Sequence, residues 1–399
     1  MGMLDGIRVL DFTTNAAGPT CGGIMADYGA EVIKIERPVF GDDCRTFPSI
    51  VDGQSLCHCW FNRGKDSVTV DLTDPEGVEL VRKMIPDAHV LIESYRPGVM
   101  KRFGLDYEGV CKIRPDIIYV SISAFGQSGP LSRKPGYDII AQAMSGVMSI
   151  TGEAGGPPMK SGLTLGDYFG GMNAFASAMT ALYYWKTTGI GQHVDVSLVH
   201  GLIWLNAALE RGNVGQCATR QGNHHPTLAP YGLFQGKNGQ SIIIAAVSKK
   251  IWESLCDVIG HQELKHDPRF EALSSRAKNQ KELIVIIEQW LQQFDNIGDA
   301  LELLDKAGIP CCKVYDNNDV YNDPNYRENQ WLIEAPVVPS INSMKKFVCR
   351  GPSAVFSKTP GVFRRADDLG EHNYEIMGKY GYSKEEIDRL QAKWTQNAK

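Results

Sequence analysis

The chain has 399 residues, 43% of them hydrophobic, enough to bury more than one core, so two domains are the starting expectation. Its 41 basic and 46 acidic residues are mixed along the sequence, which leaves no basic stripe for nucleic acid. No basic leader precedes the first strand-like segment and no uncharged run reaches membrane-spanning length, so a cytoplasmic protein without a membrane partner is expected.

The segment Ile7–Phe12 reads as a strand, Thr13 to Gly18 as a turn, Pro19 as an early helix position and Ala30–Glu36 as the next strand, a βαβ opening. Further strands are expected at Ser67–Leu72, Val90–Glu93, Ile117–Ile122 and His193–Ser197, with helices such as Pro75–Met84 between them. The fold class is therefore α/β, with a Rossmann-like, largely parallel sheet. The first turn lacks the G-x-G-x-x-G that lets backbone approach a pyrophosphate, and Gly189-Ile190-Gly191 comes too late in the chain. Nicotinamide chemistry is not expected.

From Leu163 to Gly171 an apolar segment breaks at a glycine and places Asp167 at or just before a helix whose apolar positions are Phe169, Met172, Phe175, Met179 and Leu182. On local pattern alone Asp167 reads as an N-cap. A helical run to Leu209 closes a first domain (1–209), and 210–225, rich in Gly, Asn, Gln and His, reads as a linker. A smaller α+β domain is expected over 226–331. Its hairpin joins Tyr231–Phe234 to Ser241–Val247 through a type I′ turn at Asn238-Gly239, and helices follow at Lys250–Ile259, Gln280–Phe294 and Gly298–Ala307. Residues 332–399, with Ser353–Ser357 followed by helices at Tyr374–Lys379 and Lys384–Trp394, are expected to return to the first domain. Ten cysteines are scattered; Cys57-His58-Cys59 and Cys311-Cys312 lack C-x-x-C spacing, so reduced thiols and no metal are expected.

Several segments then carry a resemblance. Leu4-Asp5-Gly6-Ile7-Arg8-Val9-Leu10-Asp11, Ala17-Gly18-Pro19, Gly29 through Pro38, Gly41-Asp42-Asp43, Phe61-Asn62-Arg63-Gly64-Lys65, Tyr95-Arg96-Pro97-Gly98, Pro135-Gly136-Tyr137-Asp138, Gly166-Asp167 and Leu369-Gly370-Glu371-His372 resemble, in order and spacing, the family III CoA-transferases. That family includes formyl-CoA:oxalate and carnitine CoA-transferases and is related to alpha-methylacyl-CoA racemases. The resemblance implies a large domain built from both chain ends, an interlocked homodimer, coenzyme A carried as acyl-CoA substrate and product, and a small carboxylic acid as the other substrate. It makes Asp167 the nucleophile, forming aspartyl anhydride and aspartyl-CoA thioester intermediates. A carboxylate with an ordinary pKa of about 3.9 needs no base to attack a thioester.

The resemblance also implies CoA contacts. Thr14, Asn15, Ala16 and Ala17 match positions at the thiol and acyl end. Arg37, Val70, Thr73, Ser94, Tyr95, Arg102 and Phe103 match nucleotide or pantetheine contacts, and Tyr137 and Asp138 stand near the thioester. Gly170 and Gly171 either lend N–H groups to an oxyanion or only permit close helix packing. An extra residue between Lys134 and Tyr137 departs from the family pattern, so Lys134 is not assigned to phosphate. His224, His225 and Trp252 either reach the acyl site or are linker histidines and a packed indole. The alternatives to a transferase are a 2-methylacyl-CoA racemase, which carries histidine where this chain has Tyr137, and a non-catalytic CoA-binding dimer.

Overall fold

The strands of the central sheet, apart from the last edge strand, bury side chains on both faces, as a parallel sheet covered by helices requires. In the computed structural model, which describes residues 2–398, these are β1 (Arg8–Phe12), β2 (Glu31–Glu36), β3 (Lys65–Thr69), β4 (Val90–Glu93), β5 (Ile118–Ser123) and β6 (Gln192–Ser197). All pairs are parallel, in the order β3-β2-β1-β4-β5-β6. β3 begins two residues before the expected Ser67 and ends at Thr69, because Lys65 pairs with Val32 and Thr69 with Glu36. β2 and β4 lie on opposite sides of β1, so the chain order reverses there and opens a crevice beyond the carboxyl ends of β1 and β4.

One face of the sheet packs Leu10, Phe12, Ile33, Leu91 and Tyr119 against the carboxy-terminal Trp394. The other packs Val9, Val32, Val90 and Ile118 against helices α1 (Ala17–Asp27) and α2 (Leu165–Thr188). The helical period expected after Asp167 is present, but the buried face is not the one carrying the large side chains. Gly166, Gly170, Gly171, Ala174, Ala178 and Ala181 turn inward with Leu182, while Met172 stays 41% exposed. Small residues win this face because the helix axes approach closely: a Cβ on Gly171 would collide with Ala17 O and Thr20, and one on Gly170 with Leu198.

Contacts divide the chain into two units. The larger takes in the chain up to Val147, Lys160–Val214 and everything from Pro324; the smaller is Met148–Met159 with Gly215–Asp323. Residues 148–159 were expected in the first domain. They belong to the smaller unit because Gly222 N donates to Gly152 O at 2.9 Å and the Arg220 guanidinium donates to Gly156 O and Ser149 O, both at 2.8 Å. The same bonds divide the expected linker 210–225: Ala207–Val214 is a 3-10 helix of the larger unit, and the rest belongs to the smaller.

In the smaller unit, strands Tyr231–Gln235, Ser241–Ala245 and Cys311–Lys313 form an antiparallel sheet under helices Lys249–Val258, Gln280–Leu291 and Ile297–Lys306. Asn238 and Gly239 both take positive φ, as a type I′ turn requires. The ladder nevertheless closes between Gly236 and Gln240, leaving three residues in the turn rather than two. Trp252 is core, 1% exposed beneath the Arg276 guanidinium, and His225 Nδ1 accepts from Thr227 N and Leu228 N.

A hairpin that the sequence reading did not include, Leu332–Pro336 with Lys346–Arg350, lies in the larger unit. The segment Ser353–Ser357 is irregular, and there Ser353 Oγ and Ala354 N bond Tyr28 Oη. Helix Lys384–Asn397 is pinned to the same unit by Trp394 Nε1 donating to Asp74 Oδ2 at 2.8 Å.

Candidate active site

The turn after β1 rests on a buried ionic cluster. Asp11, with no exposure, accepts from Thr13 N at 2.9 Å and Thr13 Oγ1 at 2.5 Å through Oδ1, and from Lys65 Nζ at 2.8 Å through Oδ2. Lys34 Nζ donates to Thr13 O and pairs with Asp42 Oδ2 at 3.0 Å, while Asp42 Oδ1 accepts Asn15 N at 2.9 Å. Burial by itself would raise the pKa of Asp11, but the neighbouring ammoniums of Lys34 and Lys65 hold it below the ordinary carboxylate range. The cluster fixes Asn15 at a φ of +68°, a left-handed conformation that asparagine tolerates. Gly18 is obligatory, since a Cβ there would overlap the Thr13 side chain. None of these buried pairs was assigned from sequence; the signal was Lys34 inside an apolar strand.

Across the crevice, Thr14 N donates to Ser94 Oγ at 3.0 Å, tying the β1 turn to the β4 turn. Ala16 offers no side-chain cap to α1, so the first N–H groups of that helix face the switch point without one. Ala16 and Ala17, both 8% exposed, form the wall there.

Asp167 is the third residue of α2, not its N-cap; the cap is Thr164, which makes no side-chain bond. The capping work is done from another helix. Asp138, 7% exposed at the start of helix Asp138–Met144, accepts Gly166 N at 2.7 Å and Gln142 Nε2 at 2.6 Å. Asp138 therefore spends its carboxylate on protein donors and stands behind the site rather than open to a ligand. Gln142 holds the incoming loop as well, accepting Ser161 N at 2.8 Å and donating to Leu163 O at 3.2 Å.

The Asp167 carboxylate has no hydrogen-bond partner among the described residues. Burial, with the Asp138 charge added, pushes its pKa up to about 7, well above the ordinary value assumed from sequence. Its place on the helix is set by neighbours on either side. Tyr168 packs against Ala16 and Phe61, its ring 5.8 Å from that of Phe61, and Gly171, one turn on, abuts Ala17. Gly170 and Gly171 lie beyond the first turn of α2, so their N–H groups bond within the helix and do not serve an oxyanion; close packing is what they provide.

Arg37, Val70, Thr73, Tyr95 and Phe103 meet in a cleft of about 380 Å³ at the carboxyl ends of β2 to β4. Phe40, Asp71, Leu72, Val99 and Trp394 also line it and were missed, the last because nothing in a carboxy-terminal helix pattern indicates where that helix docks. Arg37 is 54% exposed and pairs with Asp43, while its Nε and Nη2 donate to Gly41 O at 3.3 Å. Arg102 is exposed and outside this lining, and Tyr137 is 71% exposed.

Asp66, Asp367 and His372 form the one candidate metal-ligand cluster among the described residues. Asp66 is paired with Arg364 at 3.0 Å, and Asp367 with His372 at 2.5 Å and Arg365 at 3.2 Å. Asp367 also accepts Ser67 N at 3.0 Å, so the group ties the carboxy-terminal segment to β3. Among the described residues no helix is long and apolar enough to cross a membrane.

A doubly wound sheet with an open cleft at its switch point and an unbonded carboxylate at the neighbouring helix start is the architecture of a ligand-transforming α/β enzyme. The chain belongs to CoA-transferase family III, whose profile matches residues 4–373. It is 40% identical over 337 residues to the acetyl-CoA:oxalate CoA-transferase of Acetobacter aceti, covering 84% of this chain and 86% of that one. It is 34% identical over 398 residues to the succinyl-CoA–D-citramalate CoA-transferase of Chloroflexus aurantiacus, covering 98% and 97%. The fold is similar to that of a CAIB/BAIF family protein from Brucella suis, with a TM-score of 0.83, 32% identity, and 95% and 99% of the two chains covered. The protein is an enzyme of the acyl-CoA:carboxylate CoA-transferase type.

Proposed function

We propose that this enzyme moves CoA from an acyl-CoA to a small dicarboxylic acid, with Asp167 as the covalent nucleophile. The observation that carries the mechanism is the Asp167 carboxylate, unbonded and half-buried at the start of α2 beside the β1 turn. The acid class follows from the relatives, which are named for oxalate and for succinyl and citramalate groups. An Asp167 oxygen attacks the donor thioester carbonyl; the C–S bond breaks, giving an aspartyl acyl anhydride and CoA thiolate. The thiolate attacks the Asp167 carbonyl, the donor leaves as a free carboxylate, and an aspartyl-CoA thioester remains. The acceptor carboxylate then attacks that thioester, forming a second anhydride and releasing thiolate. The thiolate takes the acceptor acyl group and restores the Asp167 carboxylate.

The cleft lined by Arg37, Val70, Thr73, Tyr95 and Phe103 suits the nucleotide half of CoA, with guanidinium for phosphate and apolar walls for adenine. Thr14 to Ala17 lead from there toward Asp167. Arg37→Ala should raise KM for acyl-CoA about tenfold or more with little change in kcat, since a phosphate contact far from the thioester gives uniform binding. Arg102→Ala, outside the lining, should have the smaller effect. Unchanged affinity in both variants by calorimetry would remove the nucleotide from this cleft.

Met172, Tyr183, Ile203 and Trp204, the last 74% exposed, leave a large apolar surface along α2 and the following helix, which supports an interlocked homodimer read from the family. Light scattering decides this. The transferase reading itself is tested by incubating the enzyme with acetyl-CoA or succinyl-CoA and a panel of acids, and following new CoA esters by mass spectrometry. Transfer to diacids is expected. Deuterium exchange at the α-carbon of a 2-methylacyl-CoA, with transfer to no acid, would instead identify a racemase.

A further inference from the structure

Arg350 closes the strand Lys346–Arg350, and its guanidinium has no acceptor and no ion-pair partner among the described residues. It is half-buried, with its charge centre 5.8 Å from the centre of the Phe61 ring. Burial and the neighbouring Arg63 cation lower its pKa, and Asp27, the carboxylate whose charge it feels, is held in a bidentate pair by Arg63 at 2.6 and 2.8 Å. A desolvated guanidinium without an anion is unfavourable unless a ligand supplies one.

The position of this unmatched charge is informative. Phe61 also packs against Tyr168, the residue directly after Asp167, with ring centres 5.8 Å apart. Cys57 and Trp60 pack into that cluster, and the buried Trp60 Nε1 has no partner other than the neighbouring Tyr168 phenol. The unmatched Arg350 cation and the Trp60 N–H thus both lie beside Tyr168, the residue next to the nucleophile. We propose that Arg350 binds the second carboxylate of the diacid, the one that does not react at Asp167, with Trp60 Nε1 as an accessory donor. The assignment rests on the transferase reading above and names how that site would select diacids over monoacids. A guanidinium suits this because it meets a carboxylate bidentately.

The test uses acetyl-CoA as donor, which has no second carboxylate, and compares succinate and glutarate with butyrate and valerate as acceptors. In Arg350→Gln, KM for succinate should rise about tenfold to a hundredfold, while KM for acetyl-CoA and for butyrate stays within about twofold. Arg350→Lys should recover part of the preference for diacids. An unchanged ratio of succinate to butyrate efficiency in Arg350→Gln overturns the proposal. So does dissociation of the variant into monomers with that ratio retained, which would assign the guanidinium to a subunit contact. Should Arg350→Gln fail to fold, Arg350→Lys and Trp60→Phe carry the same comparison. Calorimetric titration of succinate into wild type and variant separates this proposal from the transferase reading. If wild type passes CoA to no acid the transferase reading falls, while succinate binding that is lost in the variant still upholds Arg350, and equal binding overturns it.

Discussion

Asp167→Ala and Asp167→Asn should abolish CoA transfer, lowering turnover about 10⁴-fold or more, while leaving CoA affinity within about threefold of wild type. The mutations remove the covalent nucleophile but none of the residues lining the cleft. Hydroxylamine should trap an acyl group on the wild-type enzyme mixed with donor alone, and mass spectrometry should place it on Asp167. Turnover retained by Asp167→Asn, with deamidation excluded, would end the mechanism. Because burial and Asp138 push the Asp167 pKa up to about 7, the reactive anion becomes dominant only above neutrality, and kcat/KM should rise with pH through about 7.

The same shift has an opposite effect on stability. The folded state holds this proton more tightly than the unfolded chain, so Asp167 lowers stability as pH rises from the unfolded carboxylate range through about 7. Asp167→Asn should therefore melt higher than wild type at pH 8 and equally at pH 4, a comparison read directly by calorimetry. Equal melting at both values would mean that the carboxylate is not desolvated in solution.

The second large effect is expected from Asp11→Ala. It leaves two ammoniums with no exposure to water: Lys34, which keeps Asp42, and Lys65, which keeps only Asn62 Oδ1 at 2.8 Å and Pro19 O at 3.0 Å. Breaking a buried pair from one side costs about 3–5 kcal/mol, so urea unfolding at pH 7 should show a loss of that order. The folded pKa of Asp11 is lowered. Its contribution is therefore complete above the unfolded carboxylate range and lost as pH falls through the folded value, so the gap between wild type and variant should narrow in acid. A variant as stable as wild type at pH 7 would mean that water enters beneath the turn. The Thr13–Ala16 segment hangs on this cluster, so the surviving folded enzyme should also bind acyl-CoA more weakly.

Much of this protein was legible before any coordinates. Apolar runs separated by turn residues gave the six parallel strands to within a few residues, because strand period and glycine or proline punctuation are local properties. The ordered motifs placed the chain in its family, and Asp167 stood out as a carboxylate at a break in an apolar segment. What local pattern could not supply were relations between distant segments. It read Asp167 as a cap, when the cap is supplied by Asp138, 28 positions before the Gly166 N–H it accepts, and it could not see that this same proximity raises the nucleophile's pKa. It marked the large apolar positions of α2 but not the face that packs inward, which the approach of Ala17 and Leu198 gives to glycine and alanine. It treated Arg37 and Arg102 alike, and only the docking of strand ends and the carboxy-terminal helix puts one in the cleft and leaves the other outside. Local sequence determines which elements form. Which charges are paired, which are desolvated and which stand unmatched, as Arg350 does beside Tyr168, depends on what the folded chain brings next to them, since burial and Coulomb interactions act through space.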